Sequence, residues 1–382
     1  MPRTSGDTWV LYGVPDRDAD LYHATGFRAP DPVACVGHRG RAYLFVSDLE
    51  LARARREARP GVRVVSLSRE IRRLGARASA RARRPGTVDV VARFLSERRA
   101  REARVPASFP LGVAEGLRRL GVAIRAAPDP FFPARVSKTD AEARHVREAL
   151  RATEDAIRLS ISILRSARAR RDRLFASGGT LLTAESLRAR IDGFLYERGF
   201  LADGTIVACG DQGADPHERG HGPLRPGRTI VIDVFPRSRR SLYYGDVTRT
   251  VVRGRATEAV RALHAAVDEA RRAALREIRA GAEGSRAHRA AAETFERLGF
   301  ATSARRGRPR GFIHSTGHGI GLELHEEPRL SPASGPLPDR SIVTVEPGLY
   351  YPGVGAVRIE DVALVTEAGP RLLTRLERTL EI

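Results

Sequence analysis

The sequence is short of several residue types, and each shortage excludes a class of protein. Cysteine occurs twice in 382 residues, at Cys35 and Cys209, far apart and without the close spacing of a metal-binding cysteine motif. This excludes a disulfide-built scaffold, and we expect two free thiols in a reducing, cytoplasmic setting. No apolar run approaches the length of about 18 residues that a membrane span needs. The first residues, MPRTSGDTWVLYG, lack the basic start and apolar stretch of a secretory signal, so none is expected.

Lysine is also nearly absent, because Lys138 is the one lysine in a chain whose formal net charge is +20. A strong excess of base can indicate nucleic-acid binding. The arginines, however, are scattered in short runs, several of them within helical patterns rich in Ala and Leu, at 52–57, 76–84, 98–104, 165–173, 237–240 and 305–310. Solvated helix faces explain this pattern more simply. Nucleic acid is therefore not an expected partner, although binding to nucleic acid or to an acidic partner stays an alternative.

The chain is long enough for about two domains. Its first part alternates short strands and helices, which predicts a smaller α/β domain over residues 1–134 without a cluster of chemically active residues. The expected elements are strands Pro32–Gly37, Ala42–Val46, Val62–Leu67 and Val122–Ala126, with a turn at His38–Arg41, and helices Val88–Glu97 and Gly112–Leu120. Pro128, Pro130 and Pro133 then break the pattern and indicate a domain boundary.

The second part, residues 138–382, predicts an α+β domain in which helices cover a curved antiparallel sheet. Thr139 and Glu142 have the spacing of a capping box, and Val146, Leu150, Ile157, Ile161 and Leu164 continue a buried helical stripe. Thr183 caps a second predicted helix. The other expected elements are helices 256–280 and 285–298 and strands Thr229–Phe235, Val247–Val252, Ser341–Val345 and Ala356–Val365.

Four acidic residues stand inside or beside these apolar strands. Asp233 interrupts TIVIDVF, Asp246 begins DVTRTVV, Glu346 ends IVTVE, and Glu360 lies within AVRIEDVALV. A carboxylate is costly to bury unless it is paired or bound to a cation. Four of them in one cavity would repel one another and raise one another's pKa values. The pattern therefore indicates a metal site.

Histidines of the same half of the chain support this interpretation. His314, His318 and His325 occur in a glycine-rich segment, and His217 lies in DPHERG. Because glycines at 311, 317, 319 and 321 disfavour a helix, we expect an extended segment in which the histidines have different roles. The glycines also allow the backbone to approach a ligand closely.

Four segments then resemble the successive motifs of the pita-bread (M24-type) metallopeptidase family, and most closely its prolidase and aminopeptidase P branch. They are IDVFPRSRRSLYYGDVTRTVVRG (232–254), FIHSTGHGIGLELHEEP (312–328), VTVEPGLYYPG (343–353) and VRIEDVALVTE (357–367). The short interval between the two glutamates (360 − 346 = 14) is similar to that branch. The resemblance covers about residues 138–382, and more weakly the first domain. It implies a catalytic pita-bread domain preceded by a creatinase/prolidase-like domain.

The resemblance also implies a ligand set for two divalent ions. Asp233 would bind one ion, Asp246 and Glu360 would bridge both, and His318 and Glu346 would complete the second. Mn²⁺ is the expected metal, with Co²⁺, Fe²⁺ and Zn²⁺ left open. Two such ions can lower the pKa of a bridging water so that hydroxide exists near neutral pH.

The catalytic and substrate-binding residues follow from the same motifs. Glu346 is expected to take the proton of the attacking water, and His314 and His325 to contact the substrate and move protons. His217 and Arg358 are expected to bind the substrate. The implied reaction is hydrolysis of an Xaa-Pro bond, in a dipeptide or a longer peptide. Its leaving group is a secondary amine that must gain a proton, which suits histidine.

Three further features are predicted around this set. Thr248 and Arg358, each two residues from an expected ligand, would orient those ligands. The basic stretch Pro236–Ser241 would extend a hairpin loop and change the shape of the pocket. The segment Ala304–Arg310 (ARRGRPR) supplies Arg305, Arg306, Arg308 and Arg310, one of which could bind the free carboxylate of a dipeptide, although a solvated loop is the simpler interpretation.

Two alternative functions stay open, and an oligomeric state is also predicted. A pita-bread hydrolase or scaffold with a non-proline substrate, of the creatinase kind, would share the fold, but such relatives can lose metal ligands that are present here. The nucleic-acid alternative would show a steep salt dependence of binding. A homodimer is expected, because prolidase-like relatives pair and the first domain has no chemistry of its own.

Overall fold

A computed structural model describes residues 8–76, 83–305 and 308–382 of the chain. The chain divides into two compact units, Met1–Arg135 and Val136–Ile382. Within the described ranges, no helix combines the length and the apolar composition that crossing a membrane requires.

The first unit is built on a six-stranded sheet with the order β4-β3-β2-β1-β5-β6. The strands are β1 Trp9–Gly13, β2 Val33–His38, β3 Arg41–Val46, β4 Val62–Ser66, β5 Glu102–Pro106 and β6 Ala123–Ala127. The helices are α1 Ala19–Thr25, α2 Leu51–Glu57, α3 Leu67–Gly75, α4 Thr87–Glu97 and α5 Leu111–Arg119. Strands β1, β2 and β3 pair antiparallel, whereas β4, β5 and β6 join in parallel.

Strand β2 shows why this sheet is buried on both faces. Cys35 packs in one hydrophobic cluster with Leu11 and Leu44, and its neighbour Val36 packs in the other with Val10. Since successive side chains of a strand point to opposite faces, a continuous apolar run needs cover on both sides. The predicted hairpin turn between β2 and β3 is confirmed, and the sheet has the α/β character expected of this region.

The second unit contains helices α6 Asp140–Ser166, α7 Ala184–Glu197, α8 Glu258–Arg276 and α9 Gly284–Arg297. Its strands are β7 Arg168–Arg170, β8 Arg173–Phe175, β9 Phe200–Leu201, β10 Ile206–Cys209, β11 Thr229–Val234, β12 Arg237–Ser238, β13 Val247–Val252, β14 Ser303–Arg305, β15 Arg308–Arg310, β16 Gly317–Gly319, β17 Glu326–Leu330, β18 Ile342–Val345, β19 Gly348–Tyr351, β20 Gly355–Arg358, β21 Asp361–Thr366 and β22 Gly369–Leu372. Two antiparallel sheets matter for the site: β10-β11-β13 and β17-β16-β18-β21-β22.

Local sequence accounts for the start of the longest helix. The Thr139 side chain accepts a hydrogen bond from the Glu142 backbone N–H at 3.3 Å, and the Glu142 carboxylate accepts one from the Thr139 N–H at 2.8 Å. This is the predicted capping box, which satisfies two backbone donors that a helix start leaves free. Val146 and Ile157 of the predicted stripe are fully buried, so this helix is anchored along its length.

The prediction of one strand over Ala356–Val365 was wrong. The structure has two strands there, because β20 pairs with β19 and β21 pairs with β18, in different sheets. Ile359 and Glu360 lie at the crossing, where the Glu360 N–H donates to the Thr248 carbonyl at 3.1 Å. Both halves are rich in β-forming residues, so the sequence pattern could not reveal where the chain changes sheets. The break leaves the Glu360 side chain at the junction of two sheets.

Candidate metal centre and active site

The five predicted ligands lie in one cavity of about 370 Å³. Asp233 lies on β11, Asp246 directly precedes β13, His318 lies on β16, Glu346 directly follows β18, and Glu360 lies between β20 and β21. Strands β11 and β13 pair so that Asp233 is opposite Thr248. Antiparallel pairing of strands far apart in sequence therefore brings these side chains together.

Three of these residues form a compact group of metal-ligating atoms. One ligand atom from each of Asp246, His318 and Glu360 lies within 4.8 Å of the others, and all three residues are buried. Glu346 lies beside this group, with its Oε1 at 3.4 Å from His318 Nε2, which is itself 3.6 Å from Asp246 Oδ2. Asp233 contributes from the other side of the cavity.

The hydrogen bonds of His318 leave one ring nitrogen available to a ligand. Its Nδ1 lies 3.1 Å from the Gly319 carbonyl, and a carbonyl can only accept, so Nδ1 carries the proton. Nε2 then has its lone pair toward Asp246 and Glu346. Burial, followed by the nearby His325, lowers the pKa of His318 to about 3, so the ring is neutral at neutral pH. A neutral imidazole oriented by a backbone carbonyl is a common form of metal ligand.

The carboxylates carry the strongest sign that a cation belongs here. Burial, together with the neighbouring carboxylates, raises the pKa values of Asp246 and Glu360 well above their usual range. Burial also raises the pKa of Glu346 to about 8. Asp233 Oδ1 and Glu360 Oε1 are buried and have no hydrogen-bond partner among the described residues. Buried oxygens without partners are rare, and divalent ions would satisfy them, so these residues fit a metal centre.

A hydrogen-bonded chain extends from Asp233 along the cavity wall. Arg358 Nη2 donates to Asp233 Oδ2 at 2.6 Å, and Arg358 Nη1 donates to the Tyr350 hydroxyl at 2.9 Å. The Tyr350 hydroxyl lies 2.8 Å from His314 Nε2, while His314 Nδ1 lies 2.7 Å from the Ser315 carbonyl. His314 Nδ1 is therefore the protonated nitrogen, and the tyrosine donates to Nε2.

Burial of these hydrogen-bonded residues also sets the protonation states of His314 and Tyr350. Burial, followed by the nearby Arg358, lowers the pKa of His314 to about 4. Burial also raises the pKa of Tyr350 to about 12. His314 is therefore a neutral hydrogen-bond acceptor whose Nε2 is already engaged. Arg358, which is 4% exposed, contacts a carboxylate and a tyrosine, as an orienting residue would.

Tyr350 and Thr344 also belong to the site, although no sequence pattern pointed to them. Thr344 Oγ1 accepts a hydrogen bond from the His318 backbone N–H at 3.1 Å, which fixes the strand that bears this histidine. Tyr350 lies in the quoted segment VTVEPGLYYPG but was given no role. Its complete burial cannot be recognised from a segment in which Tyr351, the next residue, is half-exposed.

The remaining predicted histidines lie at the more open side of the cavity. His217 and His325 both line it, together with Arg329 and apolar residues that include Phe235 and Ile313. The rings of His325 and His318 are 4.3 Å apart between centroids and nearly perpendicular. Unlike His314, His325 is exposed, so it can meet both solvent and a bound molecule.

Of the two basic segments, Pro236–Ser241 is described in full and Ala304–Arg310 only in part, and their predicted roles stay predictions. The predicted extension over Pro236–Ser241 connects the paired strands β11 and β13, but it also contains β12, which pairs with β9. Arg306 lies outside the described residues, and so do the side chains of Arg305 and Arg308. Arg310 is described; its Nε donates to Ser303 Oγ at 3.0 Å on the surface.

A cluster rich in arginine lies behind the group formed by Asp246, His318 and Glu360. Asp361, which is completely buried, accepts hydrogen bonds from Arg249 and Arg271 at 2.9 Å each and from Arg378 at 2.6 Å. Arg249 also donates to the carbonyl of Glu360. We call these four residues, Asp361, Arg249, Arg271 and Arg378, the arginine cluster. It holds the backbone of the junction from the side away from the cavity.

The fold and this cavity define a class of protein: a two-unit protein of mixed helices and sheets with an oxygen-rich centre that fits divalent metal ions. The family model of metallopeptidase family M24 matches residues 144–367. This is more than half of the chain, and the chain belongs to that family. The family and the fit of the donor set together support divalent metal ions as cofactors.

Two curated relatives show where the sequence similarity lies. The Xaa-Pro dipeptidase of Pyrococcus furiosus is 36% identical over 178 residues, which are 46% of this chain and 48% of the relative. The probable dipeptidase PepE of Mycobacterium tuberculosis H37Rv is 34% identical over 220 residues, 55% of each chain. This chain thus spans about half the length of the curated relatives it matches.

Solved structures extend the similarity to the whole fold. The Xaa-Pro dipeptidase of Bacillus anthracis has a TM-score of 0.81 at 23% identity, covering 99% of this chain and 95% of the other. The dipeptidase PepE of Mycobacterium ulcerans has a TM-score of 0.75 at 26% identity, covering 99% and 92%. The predicted fold, a pita-bread domain preceded by an α/β domain, is confirmed.

Proposed function

We propose that this chain is a metal-dependent peptidase that hydrolyses Xaa-Pro bonds. One observation carries the proposal: four carboxylates, three of them buried, share a single cavity with a neutral histidine, and two of the carboxylate oxygens have no partner among the described residues. Binding of divalent cations is the simplest way to neutralise such a group. The relatives named as Xaa-Pro dipeptidases support the choice of substrate.

The proposed ligand set assigns a position to each side chain. Asp246 and Glu360 would bridge two ions, Asp233 would complete one of them, and His318 and Glu346 would complete the other. When bound, the ions would polarise the scissile carbonyl and lower the pKa of a water molecule. Mn²⁺ is the proposed metal, because the donor set is rich in oxygen.

The protein's own side chains would then move two protons. Glu346 Oε1 lies 3.4 Å from His318 Nε2, at the edge of the group, where it would accept a proton from water. Proline leaves as a secondary amine, and that nitrogen must gain a proton. His325 is the proposed donor, because it is exposed to the cavity and its ring nitrogens are not bound in a chain like that of His314.

The wall of the cavity would hold and orient the peptide. Arg358 and Tyr350 fix His314 so that its ring faces the cavity in one orientation. His217 would contact the substrate from the open side, and the apolar Phe235 and Ile313 would pack against the proline ring. Because the peptide bond to proline has no N–H, recognition must use shape and the carbonyl instead.

We also propose a compartment and an oligomeric state for the enzyme. Cys35 and Cys209 are free thiols in the structure, which supports a reducing, cytoplasmic compartment. A homodimer is proposed because the described residues of the first unit hold no group of metal-ligating side chains of their own. Light scattering at micromolar concentration tests it, and a fully active monomer would contradict it.

The test of the function is hydrolysis by metal-stripped protein before and after addition of Mn²⁺. Xaa-Pro dipeptides and Xaa-Pro-Xaa tripeptides are compared with the same peptides in which alanine replaces proline. We expect activity only with metal and only with proline. The matched variants are Asp246→Asn in the cavity and Glu293→Gln at an exposed site on α9, of which only the first should lose activity. Equal hydrolysis of the alanine peptides would contradict the proposed specificity.

A further inference from the structure

The one lysine of the chain is buried beside the proposed site. Lys138 is 2% exposed, and its Nζ lies 2.5 Å from Glu326 Oε1 and 3.1 Å from the Val136 carbonyl. Arginine serves as the base everywhere else in the sequence, including other buried ion pairs such as that of Arg135 with Asp20. The use of lysine at this one position therefore needs a local physical reason.

The reason is that little space is left around the ammonium group of Lys138. A Cβ atom added to Gly321 would lie 2.9 Å from Lys138 Cε and 2.6 Å from Glu326 Oε1. The backbone of this loop thus packs directly on the ion pair. An ammonium group is a compact charge, whereas the planar guanidinium of arginine is broader. The close approach of Gly321 to Lys138 and Glu326 is thus matched to a compact ammonium group.

The ion pair fixes a loop that the strand pairing leaves poorly defined. Residues 320–325 connect β16 to β17, and the two paired positions of these strands are Gly317 with Leu330 and Gly319 with Glu326. An advance of two residues on one strand thus matches four on the other. Because this irregularity weakens the control of register, the loop needs an anchor outside the ladder. Lys138 provides one, since its own backbone is bound on both sides to Arg340 at 2.8 and 2.7 Å.

His325 directly precedes Glu326. Glu326 is the first residue of β17, so a carboxylate held by Lys138 also restrains the backbone of His325, whose imidazole lines the cavity. The Glu323 N–H also approaches Glu326 Oε2, at 3.4 Å, which ties the loop to the same carboxylate. The result is the close, perpendicular contact of His325 with His318.

We propose that the Lys138–Glu326 pair is a positioning element for His325, which holds the imidazole where it can give a proton to the departing proline nitrogen. This inference rests on the proposed function for the nature of the reaction. The placement of the ring, however, is a property of the protein alone and can be measured without any substrate.

The first experiment uses the metal-free protein and no activity. Histidine ring signals are recorded by NMR, and that of His325 is assigned with His325→Gln. Lys138→Met, which keeps the length of the side chain but removes the charge, should shift the His325 signal and leave that of His217 unchanged. Arg135→Met breaks a comparably buried ion pair in the first unit and should shift neither. An unchanged His325 signal in Lys138→Met would overturn the proposal.

The second experiment is a double-mutant cycle on the loaded enzyme. Lys138→Met should lower kcat by up to about 10²-fold, the effect of a misplacement of about 1 Å, with KM and metal content unchanged. In a His325→Ala background the same change should have no further effect on kcat, because the ring it positions is gone. Additive losses would mean that the pair only stabilises the fold, and would overturn the proposal.

Two additions make the outcome decisive. If Lys138→Met fails to fold, Glu326→Gln takes its place in both experiments, because it keeps the shape of the carboxylate. Lys138→Arg keeps the charge but places a broader group beside Gly321, so we expect it to lower kcat as well. If the wild-type protein cleaves no Xaa-Pro peptide, the proposed function is wrong, but the NMR comparison still decides the positioning role.

Discussion

Two buried charge clusters lie on opposite sides of the contact between β13 and the start of β21, and they are satisfied in opposite ways. Thr248 donates to the Glu360 carboxylate at 2.9 Å on the cavity side, while the next residue of each strand, Arg249 and Asp361, pair on the other side. The arginine cluster satisfies its one carboxylate with three guanidinium groups. The cavity side has four carboxylates, and Arg358 pairs with one of them.

The contact between β13 and β21 thus has a structural cluster on one side and the proposed functional cluster on the other. Breaking a buried pair in the arginine cluster leaves an uncompensated charge that must cost stability. Removing a carboxylate from the cavity relieves the repulsion between the carboxylates, and the protein loses a metal ligand and no stability. The two sides should therefore respond in opposite directions to the same chemical change, an acid made into its amide.

The largest effect is expected from Asp246→Asn. Loss of a bridging carboxylate should release at least one ion and abolish turnover, while the metal-free protein becomes no less stable. The wild-type protein should show a rise in melting temperature on addition of Mn²⁺, because a ligand that binds the folded state stabilises it. Elemental analysis and melting curves with and without metal measure both effects. A variant that keeps its metal would argue against the bridging role.

The next effect concerns a histidine outside the ligand set. His325→Ala should lower kcat by roughly 10²–10⁴, the usual contribution of a general acid, and both ions should stay bound. Elemental analysis beside Asp246→Asn is the check. Equal metal loss in the two variants would make His325 a ligand, and the division of roles among the histidines would have to be changed.

Asp361→Asn tests the opposite side. Removal of one partner from a buried, hydrogen-bonded ion pair costs about 3–5 kcal/mol, so we expect this loss in the free energy of unfolding. It should appear equally in the metal-free and the metal-loaded protein, as denaturation in urea measures. Arg378→Gln removes a partner whose side chain is 29% exposed and should cost much less. A loss seen only with metal would place Asp361 in the metal site.

The smallest expected effect is a dependence of stability on pH in the metal-free protein. Burial raises the pKa of Glu346 from 4.5 to about 8. Between these values the folded protein holds a proton that the unfolded chain has released, so stability falls as the pH rises. The histidines, whose pKa values are lowered, act in the other direction but have little effect above about pH 7. The melting temperature should therefore fall from about pH 7 to 8 in the wild type, and less in Glu346→Gln. Saturating Mn²⁺ should remove the slope.

Much of the local structure could be predicted from the sequence. The capping box at Thr139 and the turn between β2 and β3 depend on residues a few positions apart, and both predictions are confirmed. The acidic residues stood out because each is improbable in an apolar strand. The change of sheets at Glu360 could not be predicted, since it depends on strands β18 and β19 competing for one continuous β-forming segment.

The sequence by itself determined the chemical inventory: the carboxylates and histidines, the helices and strands that carry them, and the family to which they belong. The tertiary structure alone decided which side chains pair with one another. Arg358 meets Asp233 across 125 residues, His314 meets Tyr350 across 36, and Lys138 meets Glu326 across 188. The physical reason is that burial and pairing of a charge are set by strands distant in the chain, whereas helix caps and turns are set by neighbours.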